Sequence, residues 1–421
     1  RTVHTGLLEY KNVYRPARVI SYNKESGELV LHNYMDFDDL KDYVKISYEL
    51  TQDGLVISKG ILPEFSVAPH GEGITNLKIN VPENGKCYLK LIYHLKKELP
   101  LLDEDHILGF DEIEVSKEDT KCKLAEKWLQ KTAVDSELQV NENDTQIHIK
   151  GREFAYTIDK RTALFTEMKF AGREYLNHPM ELNIWRAPTD NDMYIKSEWK
   201  KAHYDKAYTR AYTTEVVQGK YGVKITSHAS VVAETVQKIL DVTITWKIEA
   251  AGKIDADIAV TKDDEFPDLP RFGVRMFLDK KLSAVRYFGM GPQESYCDKH
   301  QAASHGLYRA DVGDLHEDYI RPQENGSHYD CEYVELNNSR YGIVASAEKA
   351  FSFNASYYTQ EELEKKTHNY ELIESDSVVF CVDYALNGIG SNSCGPVVLE
   401  QYRFDDVLFR FQFTLIPYVK G

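Results

Sequence analysis

Apolar and polar positions alternate with a period of two along most of the chain. Over 88–96, Leu89, Leu91, Tyr93 and Leu95 share one face while Lys90, His94 and Lys96 share the other. Over 242–249, Val242, Ile244, Trp246 and Ile248 alternate with Thr243, Thr245, Lys247 and Glu249. Over 408–415, Phe409, Phe411, Phe413 and Leu415 alternate with Arg410, Gln412 and Thr414. Successive side chains of a strand point to opposite faces, so these runs predict antiparallel strands with one face buried. Turn signals such as Asp53-Gly54, Asn84-Gly85 and Asn325-Gly326 separate the runs. Helical spacing is confined to short stretches at 197–206, 297–304 and 361–367. Strand after strand without alternating helices predicts an all-β fold of packed antiparallel sheets, not a parallel α/β sheet.

A polar, turn-rich run, Ser116-Lys117-Glu118-Asp119-Thr120-Lys121, marks a boundary. Residues 1–116 hold about seven strands, the size of an immunoglobulin-like β-sandwich. Residues 121–421 are expected to form one large antiparallel sandwich, since all-β domains of such length occur. The abundance of Tyr (28) and Phe (17) suits pleated, half-buried surfaces.

Charge narrows the partners. A net charge of −16 argues against nucleic acid, which requires a basic footprint, and fits a neutral ligand. No run of 18 apolar residues occurs, so no membrane-spanning helix is expected. Cys87, Cys122, Cys297, Cys331, Cys381 and Cys394 lie far apart without a C-x-x-C pair. That spacing gives no zinc site, and the cysteines read as reduced thiols, mostly in cores. The chain begins Arg1-Thr2-Val3-His4 with no initiator Met. This sets the expectation of a piece of a longer protein, whose compartment cannot be read from these residues.

Standard catalytic and binding motifs fail on inspection. Asp190-Asn191-Asp192 opens like a calcium loop, but the sixth and twelfth positions are Ile195 and Lys201 instead of Gly and Glu. The glycine-rich stretch 388–395 does not match G-x-G-x-x-G. There is no H-E-x-x-H, G-x-S-x-G or P-loop.

Four polar, glycine-containing segments stand out from the strands. In 183–192, Trp185, Arg186, Asp190, Asn191 and Asp192 are crowded together. Either Arg186 pins the loop to a nearby carboxylate while Asp190 and Asn191 cap backbone amides, or the loop contacts a ligand directly. In 287–296, Gly289 and Gly291 suggest a tight, close-packed turn beside Gln293 and Glu294. The segment 321–326 ends in Glu324-Asn325-Gly326, a turn beside strands. The loop 388–396, with Gly388 and Gly390 and ending at Pro396, either lines a cleft or turns a corner.

Together these strings, WRAPTDND (185–192), YFGMGPQESY (287–296), RPQENG (321–326) and GIGSNSCGP (388–396), resemble the C-terminal region of family 2 glycoside hydrolases of the β-galactosidase type. Tyr14-Arg15-Pro16-Ala17-Arg18 resembles the segment leaving that family's catalytic barrel, and Leu31-His32-Asn33-Tyr34 its second immunoglobulin-like domain. The resemblance covers essentially the whole chain. It implies that residues 1–116 are that second immunoglobulin-like domain and 121–421 a super-sandwich of galactose-mutarotase-like fold.

The resemblance further implies a parent enzyme that cleaves β-galactosides with retention, using two Glu residues roughly 5–5.5 Å apart. Both lie on a barrel of about 250 residues, of which no strand–helix repeat is seen here. No catalytic residue is therefore assigned, and Glu294 and Glu324 are read as residues of the sandwich. No metal or other cofactor is expected in these residues; Mg2+ and Na+ would belong to the barrel. The partners implied are that barrel, on the same polypeptide, a small-molecule galactoside, and further copies of the parent. A cytoplasmic or periplasmic bacterial setting goes with this.

In the family, two sandwich loops approach the sugar. Here they correspond to Asp192, Met193, Tyr194, Ile195 and Lys196, and to Asn392, Ser393 and Cys394. Cys394 stands where the best-known members present a Trp that stacks on the aglycone, and a thiol offers no such face. Tyr194 stands where the family often has Gly, and its ring is a candidate replacement for the stacking surface. Two rival readings remain: an independent carbohydrate-binding module, and a sugar epimerase using His305, His316 or His368.

Overall fold

The computed structural model describes residues 3–117, 120–129 and 138–420. Glu118 and Asp119 of the expected boundary lie outside the described residues. The chain forms two compact units. Unit 1 comprises Arg1–Glu126, Phe288–Gln293 and His300–Tyr308, and unit 2 comprises Lys127–Tyr287, Glu294–Lys299 and Arg309–Gly421.

Unit 1 carries β1 (Ala17–Tyr22), β2 (Glu28–Asn33), β3 (Val44–Gln52), β4 (Leu55–Ile61), β5 (Glu72–Asn76), β6 (Cys87–Leu95) and β7 (Ile107–Glu114). They form a three-stranded sheet, β1-β2-β5, and a four-stranded sheet, β4-β3-β6-β7. Seven strands divided four and three make the immunoglobulin-like sandwich expected from sequence. Leu89, Leu91 and Tyr93 of β6 are fully buried with Leu29, Leu31, Ile46 and Leu50 from both sheets. Each large aliphatic side chain so buried contributes about 1.5–3 kcal/mol. The Asp53-Gly54 signal is the two-residue turn joining β3 to β4. Both residues have positive φ, 50° and 79°, as a primed hairpin turn requires. In the segment that resembles the family's barrel exit, Arg15 forks onto Asp111, with Nη2–Oδ1 2.6 Å and Nε–Oδ1 3.0 Å.

Unit 2 begins with a five-stranded sheet, β12-β11-β10-β9-β8. Its strands are β8 (Gln139–Glu142), β9 (Gln146–Lys150), β10 (Phe154–Asp159), β11 (Leu164–Phe170) and β12 (Arg173–Glu174). The remaining strands are β13 (Leu176–Asn183), β14 (Tyr208–Gly219), β15 (Gly222–Val232), β16 (Leu240–Glu249), β17 (Ile254–Lys262) and β18 (Arg271–Asp279). β19 (Ala284–Gly291) and β20 (Ser304–Asp311) have residues in each unit, and unit 2 continues with β21 (Ser327–Asn337), β22 (Tyr341–Ser356), β23 (Ser377–Leu386) and β24 (Leu408–Val419). A large antiparallel sheet runs β13-β18-β23-β22-β24-β17-β16-β15-β14, and β21 pairs with β22. The alternation read in β16 and β24 buries Val242, Ile244, Trp246 and Ile248 on one strand and Phe409, Phe411, Phe413 and Leu415 on the other. The Trp246 ring packs edge-on to Phe165 and Phe413, and its indole N–H donates to Ala163 O at 2.8 Å. That bond satisfies the one polar atom of the side chain in an otherwise apolar core.

The helices differ from expectation. Two of the three stretches hold short helices, Ile195–Lys201 and Gln360–Lys365. The third, 297–304, is not helical. Tyr296 and Lys299 exchange both backbone hydrogen bonds, at 2.8 and 3.1 Å, and Ala303 N bonds His300 O, so the run is spent in tight turns. Helices at Thr5–Val13, Leu40–Tyr43 and Lys123–Leu129 escape the sequence reading, because mixed polar positions blur their period.

Candidate functional site

β13 ends at Asn183, and the chain enters a buried loop. Asn183 Oδ1 accepts from Trp185 N at 3.0 Å and turns the chain inward. Arg186 is fully buried. Its Nη2 meets Asp192 Oδ1 at 2.7 Å and its Nε meets Oδ2 at 3.2 Å, a two-pronged fit of guanidinium to carboxylate. Its other donors reach Asn387 O and, at 3.1 Å, Gly388 O. Burial disfavours the cation, but the Asp192 carboxylate and then Glu324 outweigh it and hold Arg186 above its ordinary value. Arg186 is therefore held as the cation.

Asp192 also caps the short 3-10 turn Asp190–Asp192, accepting from Thr189 N at 2.9 Å. Capping therefore falls to Asp192 and not to Asp190, whose backbone N is instead held by Gln323 Oε1 at 3.0 Å. Asn191 reaches across to the glycine loop. Its Nδ2 donates to Gly390 O at 2.6 Å, and its Oδ1 accepts from Ser393 Oγ at 2.8 Å. Asp298 fixes the same loop by accepting from Ile389 N at 2.9 Å and Gly390 N at 2.7 Å. Gly390 has a φ of 68°, and a Cβ there would sit 2.6 Å from Val398 Cγ2. At Gly388 a Cβ would meet Asp298 Oδ2 at 2.8 Å. The glycines are needed for this close approach.

The clamped loops border a cavity of about 560 Å³. Asp192, Met193, Tyr194, Ile195 and Asn392 line it; Lys196, Ser393 and Cys394 do not. Met193 and Tyr194 are exposed, the latter at 61%. Sequence reasoning missed six further lining residues: Glu198, Asp268, Asn387, Val397, Val398 and Arg403. Three of them directly flank the glycine loop, so reading the motif a few residues wider at each end would have included them.

The remaining motif residues build the interior. Glu294 accepts from Lys299 Nζ at 2.5 Å, from Tyr319 OH, and from Gly326 N at 2.8 Å. Burial pushes its carboxyl up, but Lys299 and these hydrogen bonds prevail and hold it below the ordinary value. Glu324 sits beside Arg271, whose Nη2 also pairs with Asp383 Oδ2 at 2.5 Å. Burial raises the Glu324 carboxyl more than Arg271 and Arg186 lower it. Asn325 bonds Glu317 N at 3.0 Å, and a Cβ at Gly326 would strike Leu315 O at 2.5 Å. Gly291 and Gln293 belong to unit 1. His305 pairs with Glu112 at 2.7 Å, also in unit 1. His316 and His368 lie near separate carboxylates, Asp318 and Glu371. All six cysteines are free; Cys394 is exposed and Cys297 half-buried. Among the described residues no group of three or more His, Cys, Asp or Glu is placed to hold a metal ion, and no helix is long and apolar enough to cross a membrane.

A seven-strand sandwich followed by a large antiparallel sheet with a clamped pair of loops places the chain in the all-β, sandwich-built class. Residues 150–415 match the model of the family described as beta galactosidase small chain, and residues 29–116 that described as beta-galactosidase, domain 4. The chain belongs to the beta galactosidase small chain family. It is 43% identical over 418 residues to a beta-galactosidase of Actinobacillus pleuropneumoniae, covering 99% of this chain and 40% of that protein. With a beta-galactosidase of Staphylococcus xylosus the identity is 30% over 420 residues, covering 99% and 41%. The chain thus spans about two-fifths of the length of these relatives. Among solved structures, a galactose 1-epimerase from Lactobacillus acidophilus NCFM aligns over 69% of this chain and 100% of its own, at 8% identity and a TM-score of 0.37.

Proposed function

We propose that the chain is the non-catalytic C-terminal portion of a retaining β-galactosidase, a hydrolase of terminal β-D-galactosides, and that it scaffolds the catalytic barrel and supplies one wall of the sugar pocket. The observation that carries this is the pair of loops, 190–198 and 387–398, fastened by Arg186, Asn191 and Asp298 around one cavity. A wall held in fixed geometry orients a substrate and excludes water without supplying a reacting group. The two reacting Glu residues are assigned to the barrel. Glu294 and Glu324 are each committed to buried partners and have no part in this chemistry. On this reading the chain's partners are the barrel of its own polypeptide, a small galactoside, and further copies of the parent in an oligomer.

The test is the purified 421-residue chain incubated with 4-nitrophenyl β-D-galactopyranoside. No release of 4-nitrophenol above background is expected; steady release not attributable to host enzyme overturns the proposal. In the full-length parent, Tyr194→Ala should raise KM for lactose and aryl galactosides if Tyr194 supplies a stacking face. Unchanged KM values for both would discard that role. Turnover of β-glucosides over β-galactosides by the parent would move the assignment to a related β-glycosidase.

A further inference from the structure

Unit 2 holds a second cavity, of about 290 Å³, which shares Arg403 with the one above. The lining includes Tyr329, Tyr384, Tyr402, Gln401, Arg403 and Asp406. Two of the tyrosines are brought there by irregularities of the sheet. On β23, Ala385 pairs with Phe272 and Asp383 with Gly273, so Tyr384 is an extra residue opposite a single step of β18. On β21, His328 pairs with Phe353 and Cys331 with Phe351, so that strand too carries one residue more than its partner. Asp330, inside this second bulge, has a φ of 54°, a left-handed backbone that a non-glycine residue adopts at a cost of about 1–3 kcal/mol. Neighbouring strand residues ordinarily point to opposite faces. Here Tyr329 and Asp330 both line the cavity, and so do Tyr384 and Ala385. Bulges re-aim side chains in this way. Two of them, on separate strands, serve the same cavity.

The lining also selects a ligand class. Tyrosine rings supply flat apolar faces with a polar edge. Gln401, Asp406, Arg403 and Ser352 supply donors and acceptors of both kinds. Among the lining residues Arg403 is the one Lys or Arg, set against Asp330 and Asp406, so a phosphate or other polyanion is disfavoured. The volume lies at the lower end of the about 300–1,000 Å³ typical of small-molecule pockets, room for one ring. We propose that this tyrosine-lined cavity binds a single pyranose ring of a neutral sugar, the ring's apolar face on tyrosine and its hydroxyls on Gln401, Arg403 and Asp406.

The experiment is saturation-transfer NMR and calorimetric titration of the 421-residue chain with methyl β-D-galactopyranoside and methyl β-D-glucopyranoside, with inorganic phosphate as a control. Saturable binding of at least one pyranoside is expected. Tyr384→Ala and, separately, the exposed Gln401→Ala should each weaken it about tenfold, the loss of one contact of roughly 1.4 kcal/mol. Gln401→Ala alters an exposed side chain and leaves the core intact, so it reads the site even if Tyr384→Ala unfolds. Three results overturn the proposal: no saturable pyranoside binding up to about 50 mM, binding of phosphate in preference to sugar, or sugar binding that Gln401→Ala leaves undiminished.

Discussion

Replacing Asp192 by Ala removes the carboxylate that neutralises Arg186 inside unit 2. Arg186 has no exposed surface, so the guanidinium cannot recover water without moving. It would keep the acceptors Asn387 O and Gly388 O but lose both carboxylate contacts, at 2.7 and 3.2 Å. Thr189 N would lose its 2.9 Å acceptor as well. Breaking a buried pair by removing one partner costs about 3–5 kcal/mol. For a domain of this size each kcal/mol lowers Tm by roughly 2–4 °C, so a fall of about 6–20 °C is expected. Calorimetry of the chain measures it, with Trp fluorescence as a second readout, because Arg186 lies 5.3 Å over the Trp199 ring and Trp185 packs 6.2 Å from it. The double variant Arg186→Met, Asp192→Leu should be less damaging than the sum of its parts by about 2 kcal/mol or more, since no unpaired buried charge is left. A cost below about 1 kcal/mol for Asp192→Ala, or strict additivity in the cycle, would refute the argument that this pair is a buried, mutually dependent clamp.

Other consequences follow from single groups. Glu294 has a depressed pKa when folded, so its contribution is present above the unfolded value of about 4.5 and fades as pH falls through the lower folded value. Glu294→Gln should lower stability at pH 7 and flatten the loss of stability on acidification below about pH 4.5, read by urea titrations at a series of pH values. Gly390→Ala forces a left-handed residue against Val398 and should cost about 1–2 kcal/mol; an unchanged urea midpoint would show that the loop relaxes freely. Iodoacetamide at pH 8 should modify Cys394 first and Cys297 slowly, because burial pushes the Cys297 thiol up to about 12. Peptide mass mapping showing equal rates at the two sites would contradict this.

The strands were legible because one face of each is buried, and burial writes a period of two into the residues. β6, β16 and β24 can be read directly from Leu89–Leu91–Tyr93, Val242–Ile244–Trp246 and Phe409–Phe411–Phe413. The bulges were not legible. A single added residue such as Tyr384, between Asp383 and Ala385, disturbs no motif, and its effect depends on where the partner strand steps. The run at 297–304 misled in the opposite direction: its spacing suits a helix, yet the Tyr296–Lys299 backbone exchange closes a turn first. In the site, the crowding of Trp185, Arg186 and Asp192 announced a pinned loop. That Asp298 would hold two amides of a loop some ninety residues later was invisible, since an aspartate at the tail of one motif carries no mark of a partner in another.

Stability alone does not account for the clamp. A buried ion pair replaced by apolar side chains of similar volume is often neutral or stabilising, so packing gives no reason to retain Arg186 and Asp192. What an apolar pair cannot do is select backbone groups. Arg186 takes the carbonyls of Asn387 and Gly388, and Asp192 takes the amide of Thr189. Asn191 and Asp298 repeat the same operation on Gly390 and Ile389. These contacts fix the register of one loop against the other, and the two loops carry Met193, Tyr194, Ile195, Asn392, Val397 and Val398 to the cavity surface. The polar network inside therefore sets the position of apolar and aromatic groups outside. The proposed substrate wall would need this of its supports, because displacement by about 1 Å can cost a hundredfold in rate. On that argument a conservative exchange such as Arg186→Lys, which keeps the charge but loses the two-pronged geometry, should harm substrate affinity in the parent enzyme more than it harms folding of the chain.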